Sequence, residues 1–368
     1  MSDPNTSLPS ASYFIIVGMP GLQEYYTTLF LIFLFLFLAT ILGNLLIVLL
    51  VSLDPRLHTP MYLFLWNLAV LDVLLTTAMI PKLLAVLWGH NRTISIADCF
   101  LQMYFIMSVA AVEIFLVAAM AYDRYVAVVK PLHYNTIINT RVCFTMMAIV
   151  WALGFLAPLV SVALASSVPF CTSNYVLHCF CDYPTVMTLA CADVTAQVNF
   201  TLFLAMLVVW GPFIFVLFTY CRIIISVVKM TTVESQKKAF YMCSSHVVLV
   251  VLYYVSTAMV YIGLRVDSIS PIGRIFIGGL NYFLTPLVNP IIYSLRNEKI
   301  KAAAQSVRRF ASLLEHHKGF YSPYIPVPKK DVGFCPILHL RRVNHHLKVL
   351  RIQMLNLRTM SQAIKPGN

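Results

Sequence analysis

The stretch Leu29-Phe30-Leu31-Ile32-Phe33-Leu34-Phe35-Leu36-Phe37-Leu38-Ala39-Thr40-Ile41-Leu42-Gly43-Asn44-Leu45-Leu46-Ile47-Val48-Leu49-Leu50-Val51 holds no charged side chain, and its only polar side chains are Thr40 and Asn44. Extended to its polar edges it runs from Tyr25 to Ser52, longer than the roughly 20 helical residues that cross a hydrocarbon core. Six further apolar blocks follow: Pro60 to Leu87, Ala97 to Arg124, Val142 to Val168, Val198 to Ile225, Phe240 to Gly263 and Pro271 to Leu295. They predict an all-α membrane protein, a bundle of seven transmembrane helices. Composition agrees: 60% of the 368 residues are hydrophobic and 11% charged, against about 45–50% and about 25% in soluble domains. A water-soluble fold, a disordered chain and a small disulfide framework are thereby excluded.

Lys and Arg in the connections set the orientation, because positive loops stay cytoplasmic. Up to Phe310, thirteen lie after spans one, three, five and seven: Arg56, Arg124, Lys130, Arg141, Arg222, Lys229, Lys237, Lys238, Arg296, Lys299, Lys301, Arg308 and Arg309. Only Lys82, Arg92, Arg265 and Arg274 lie on the other side. The N-terminus is therefore expected outside, where Asn5 and Asn91 sit in glycosylation sequons. The net charge of +12 reads as topology, not as a nucleic-acid surface. Residues 1–24 form an outer segment without a removable signal peptide, 25–296 the bundle, 297–310 a short amphipathic helix beside the membrane, and 311–368 a flexible basic tail. Its Leu-rich run from Leu338 to Leu357 can lie on anionic membrane lipid.

Cys99 opens span three on the outer side, and Cys171, Cys179, Cys181 and Cys191 all fall in the long loop after span four. An oxidising exterior lets them pair and close a lid over the bundle, although spacing alone leaves the pairing open and a metal site with His178 is a rival. Two acids, Asp72 and Glu113, stand deep in spans two and three, where ionisable groups are costly. With Asn44 and Asn289 they can form one polar cluster that holds a sodium ion, shares a proton or simply glues helices. No spacing suits a catalytic metal, and there is no glycine-rich phosphate loop.

At the inner end of span three stands Met120-Ala121-Tyr122-Asp123-Arg124-Tyr125. Adjacent Asp123 and Arg124 can form a local ion pair that a better partner breaks, or can serve as an interfacial anchor. Span seven carries Asn289-Pro290-Ile291-Ile292-Tyr293, where proline frees a backbone carbonyl and permits a kink. Together with Gly43-Asn44, Leu57-His58-Thr59-Pro60-Met61-Tyr62, Pro131-Leu132-His133-Tyr134, Thr219-Tyr220, Lys238-Ala239-Phe240 and Cys243-Ser244-Ser245-His246, these motifs run in order from Gly43 to about Phe310. The chain resembles a rhodopsin-like G-protein-coupled receptor and, more narrowly, a vertebrate odorant receptor.

The resemblance implies a plasma-membrane receptor of sensory-neuron cilia, not an enzyme. A small-molecule odorant would drive a heterotrimeric G protein of the stimulatory olfactory type and raise cyclic AMP. Asp123, Arg124 and Tyr125 would form the G-protein gate, with Tyr220 and Tyr293 as active-state partners of Arg124. Asn44, Asp72, Glu113 and Asn289 would form the ion cluster, with Asp72 and Glu113 as sodium ligands and no other cofactor. Cys99 would bond to Cys181 and Cys171 to Cys191. Val128-Val129-Lys130 and Tyr241-Met242 depart from the family's usual residues, and 311–368 extends past its usual end.

The ligand pocket is expected in the outer half of the bundle. Tyr104, Met107, Ser108 and Ala111 follow helical spacing on span three, and Tyr254, Thr257, Ala258 and Tyr261 on span six, although such stripes also serve helix packing. Arg265, one turn beyond Tyr261, can meet a carboxylate ligand or pair with Asp267 or Asp182. The rival readings are a non-olfactory receptor of the same fold and a proton-coupled transporter using Asp72 and Glu113. The transporter is disfavoured by the absence of repeats.

Overall fold

The computed structural model describes residues 12–89, 91–171, 173–266, 268–296, 300–303 and 305, and the strands Tyr324–Pro328 and Phe334–Leu338. At 261, 263–265, 271, 280, 294–296, 324–328 and 334–338 the backbone alone is described. Asn5 and Asp267 lie outside the described residues, as do the side chains of Tyr261 and Arg265 and most of 297–310.

Seven helices are long and apolar enough to cross a membrane. The first is Tyr26–Leu53 and the second Pro60–Leu87, which opens on a proline where no helical donor is lost. The third, Ile96–Val129, starts where the Ser95 hydroxyl accepts from the Asp98 amide at 3.0 Å. The fourth is broken at Ala157-Pro158 into Thr140–Leu156 and Leu159–Ser166, after an Asn139 cap. Helices Thr195–Val228 and Val233–Arg265 form spans five and six. Span seven comprises Pro271–Gly279, a wide turn over Leu280–Leu284 and Thr285–Arg296.

Several helices outrun their apolar blocks. Span three continues past Arg124 to Val129, and span six begins at Val233, because polar residues there still form helix and Thr232 caps the latter through the Ser235 amide. Hydropathy marks the bilayer, whereas caps mark the helix.

Span three is the hub. Sixty-seven per cent of its apolar window is buried, against 17% for span five. Large apolar side chains such as Phe35, Leu42 and Ile214 point outward, the arrangement expected where lipid replaces water. Spans three and four touch at Gly154. A Cβ there would meet the Val112 side chain and stand 2.7 Å from the Val112 amide nitrogen.

One end of the bundle carries a three-stranded sheet, where the sequence suggests only a polar segment. Strand β1 (Tyr13–Ile16) lies between β2 (Thr93–Ser95), antiparallel, and β3 (Tyr175–Val176), parallel. Phe14 and Ile16 of β1 are fully buried among Val86, Phe100, Met103, Phe170 and Val186. Disulfides Cys99–Cys181 and Cys171–Cys191 tie the same loop down, with Cα separations of 5.5 and 5.7 Å. Gln102 stitches three elements: its amide donates to Ala78 of span two at 2.8 Å, and its carbonyl oxygen accepts from Cys181 N at 3.0 Å. Lys82 donates to the carbonyls of Asn91 and Thr93 at 3.0 and 2.6 Å.

The chain divides into two compact units, Met1–Leu49 with Thr59–Glu298 and Leu50–His58 with Lys299–Asn368. In the second, Asp54 caps the turn Pro55–Leu57 and pairs with Arg56 at 2.7 Å, which holds its carboxyl below the usual range. The same unit contains an antiparallel pair, β4 (Tyr324–Pro328) and β5 (Phe334–Leu338), in a region where the sequence predicts no regular structure.

Candidate functional site

At the end of the bundle remote from the sheet, Arg124 is engaged by its own neighbour. Its Nε and an Nη donate to Asp123 Oδ2 at 3.1 and 2.7 Å, with both side chains buried. The other carboxylate oxygen accepts from the Tyr134 hydroxyl at 2.7 Å. Burial and the Asp123 charge raise the phenol's pKa, so Tyr134 stays a donor. A buried pair of this kind resists loss of one partner, which would strand a charge in a dry interior.

Tyr220 and Tyr293 do not hydrogen-bond Arg124. Tyr220 on span five pairs with His246 Nδ1 on span six at 2.6 Å, and His246 Nε2 contacts the Val117 carbonyl of span three at 3.2 Å. A carbonyl can only accept, so Nε2 carries the proton and Nδ1 accepts from the phenol. One imidazole thus joins three spans. The Tyr293 hydroxyl is buried without a partner, and Tyr125 packs beside Val128, Ile223 and Tyr220. Between spans five and six an apolar cleft of about 990 Å³, lined by Tyr220, Val227, Ala239 and Cys243, separates their ends.

Midway along the bundle, the Asn289 amide donates to both oxygens of Asp72 at 3.2 and 3.0 Å. Its own Oδ1, Glu113 Oε1 and the Tyr253 hydroxyl are buried without partners. Asn44 does not join the acids through its amide nitrogen: Nδ2 donates to the carbonyls of Thr40 and Pro286 at 3.0 and 2.9 Å. It fastens span one to span seven just ahead of Pro290. Among the described residues no group of three or more His, Cys, Asp or Glu gathers to hold a metal.

Toward the sheet end, the expected pocket residues divide between two cavities. Met107 and Ala111 line one of about 170 Å³ with Ala110, Ile114, Thr201 and Tyr282. Tyr254, Thr257 and Ala258 line another of about 660 Å³ with Val209, Trp210 and Phe213. Val209 borders both. Tyr104 lines neither: its hydroxyl donates to the Phe155 carbonyl of span four at 2.9 Å, so helical spacing placed it on a packing face. Ser108 is also outside both linings, fully buried with its hydroxyl unpartnered. Cys179, the fifth cysteine of this end, is a free buried thiol pushed up to about 12 by burial. Asn91 is exposed, its Oδ1 accepting from Thr93 at 3.2 Å.

This geometry has relatives. The crystal structure of squid rhodopsin superposes with a TM-score of 0.64 over 81% of this chain and 89% of that one, at 17% identity, which establishes the seven-helix fold. The family profile described as olfactory receptor matches residues 33–310. The chain belongs to the olfactory receptor family. Human olfactory receptor 2AT4 is 39% identical over 305 residues, 82% of this chain and 95% of its own length. Mouse olfactory receptor 1M1 is 38% identical over 299 residues, 81% and 95% of the two chains. The protein is therefore a multi-pass membrane receptor of the rhodopsin-like G-protein-coupled class that senses odorants, and not an enzyme.

Sequence reasoning missed Tyr134 as the second ligand of Asp123 and Tyr253 as a neighbour of the acids. A lone tyrosine carries no spacing signal. His246 belongs to the Cys243-Ser244-Ser245-His246 motif, but its two contacts required the fold.

Proposed function

We propose that this olfactory receptor binds a small, mostly apolar odorant in the cavity bordered by Met107, Ala111 and Tyr282, and activates a stimulatory olfactory-type G protein that raises cyclic AMP. The N-terminus and the β-sheet face outward, the receptor works in the plasma membrane of sensory-neuron cilia, and Asn5 and Asn91 carry glycans. Lining chemistry supports the ligand class: alanines, valines and a methionine with Ser161, Thr201 and Tyr282 as the few hydroxyl groups. A ligand acts only through its differential affinity for two states.

The observation that carries the mechanism is a pair of engagements at the far end. Arg124 is held by Asp123, and Tyr220 donates to His246, a contact that fixes the phenol where it makes no hydrogen bond to Arg124. Activation swings span six outward, breaks the imidazole's contacts to spans three and five, and lets Tyr220 and Tyr293 support a freed Arg124 facing the G protein. The cleft between spans five and six provides slack for that movement. Nucleotide exchange belongs to the partner.

A sodium ion suits the cluster of unpartnered oxygens at Glu113, Asn289 and Tyr253 beside Asp72, since hard cations take oxygen ligands. When bound it would supply the positive charge that keeps both carboxyls ionised. Asp72 and Glu113 would hold it, and Asn289 would orient Asp72.

The test is cyclic AMP in cells displaying the chain, exposed to a broad odorant panel beside an equally displayed Arg124→Ala variant. A ligand-dependent rise that the variant loses is the expected result. An equal response in the variant would remove Arg124 from the mechanism.

A further inference from the structure

Closer to the sheet end than the odorant cavity lies a separate hollow of about 240 Å³. Its walls bring together polar groups that the receptor mechanism does not use: Arg274 from the first turns of span seven, and His178 and Asp182 from the disulfide-bonded loop, with Thr185 and Thr188 beside them. Arg274 Nε and His178 Nδ1 are buried, and neither has a hydrogen-bond partner. Among the described residues Arg274 makes no ion pair, although Asp182 borders the same hollow. Asp182 accepts a side-chain bond from the Thr185 hydroxyl, at 3.2 Å.

A buried, unpaired guanidinium nitrogen is costly unless an acceptor meets it. The fork geometry of arginine matches a carboxylate through two parallel N–H···O bonds. Asp182 in the same hollow repels a second negative charge and rewards a hydroxyl or ammonium donor. The space is several times the roughly 30 Å³ that one water occupies in the liquid. Tyr282 forms part of this wall and also of the odorant cavity, so the two spaces are neighbours divided by one ring.

We propose that this hollow is a second ligand site, selective for small carboxylates that also carry a hydrogen-bond donor, the hydroxy- and amino-carboxylates. The carboxylate meets Arg274, the donor meets Asp182, and His178 presents a neutral ring nitrogen to the occupant. Burial holds that imidazole below its ordinary pKa, with Asp182 opposing the shift.

The experiment uses the full chain in lipid nanodiscs, with lactate as the probe and propionate as its counterpart lacking the hydroxyl, read by saturation-transfer nuclear magnetic resonance. Lactate should bind saturably and more tightly than propionate. Arg274→Gln should weaken lactate by about tenfold or more, the size expected for a charge-assisted hydrogen bond, and Arg274→Lys should recover part of the loss. Asp182→Asn should narrow the preference for lactate over propionate. Ala111→Phe, which fills the odorant cavity, should leave lactate binding intact. Thermal unfolding of each variant identifies any that fail to fold, and the Lys and Asn substitutions then decide the matter. No saturable lactate signal, equal binding by Arg274→Gln, or loss of binding in Ala111→Phe would each overturn the proposal, the last by assigning the probe to the odorant cavity.

Discussion

The two ends of the bundle are built on opposite principles. The sheet end is fastened redundantly: two disulfides, three strands and a continuous apolar cluster hold one loop from several sides. The Arg124 end has a smaller apolar cluster around Val128, Ile223 and Cys243 and a few polar contacts, namely Asp123 with Arg124 and Tyr134, and His246 with Tyr220 and Val117. Removing one fastening from the first end leaves others in place. Removing one contact from the second changes which partner its neighbour can take. The proposed mechanism, a pocket held steady while the far end rearranges, uses this asymmetry.

The largest effect is expected from cutting the covalent part. Cys99→Ser should lower stability by about 2–5 kcal/mol and abolish most surface display, read by antibody staining of unpermeabilised cells. Near-normal display would mean that the sheet and apolar cluster suffice alone.

Next is Asp123→Asn, which leaves the buried Arg124 charge with a weaker partner. It should raise basal cyclic AMP several-fold and lower stability by about 3–5 kcal/mol or less, measured by signalling and thermal unfolding together. A stability loss without a rise in basal activity would make the pair structural only.

Between the two ends, Gly154→Val tests the close approach of spans three and four. Overpacking against Val112 should cost about 1–3 kcal/mol, seen as a lower unfolding midpoint with ligand potency affected less than display.

The smallest effect concerns pH at the sheet end. Burial keeps His178 below its ordinary value near 6.5, so the folded protein holds it neutral while the unfolded chain takes up a proton. Its stability contribution is full above that value and is lost as the pH falls through it. Asp182 and Arg274 are the charged groups in the same hollow. Lowering the pH from 7.5 to 5.5 should therefore depress the parent's midpoint by about 1–2 °C more than that of His178→Phe. Equal shifts would mean that the imidazole reaches water.

Much of this was legible in the sequence because membrane spans are written in composition. Seven apolar blocks located seven helices to within a few residues at most ends. The motif series identified the family whose profile spans residues 33–310. What stayed hidden follows from three physical causes. Strand β1 is only four residues long, and its burial depends on partners nearly eighty and a hundred and sixty residues away. Helical spacing gives the face a residue occupies but not its rotamer, so Tyr104 and Met107 looked equivalent until the Tyr104 hydroxyl was placed on the Phe155 carbonyl. Polar neighbours such as Tyr253 beside the two acids, or Arg274 and Asp182 around one hollow, are brought together by tertiary proximity and leave no local pattern.

The central claim is that His246 holds Tyr220 away from Arg124 in the resting receptor. Its most direct test is basal cyclic AMP in cells displaying His246→Ala at the parent's surface level, with Tyr220→Phe placed in the same background. The account predicts that His246→Ala raises basal signalling several-fold and that adding Tyr220→Phe removes the increase, because the freed phenol is what supports Arg124. Unchanged basal signalling in His246→Ala, or an increase that survives Tyr220→Phe, would contradict it.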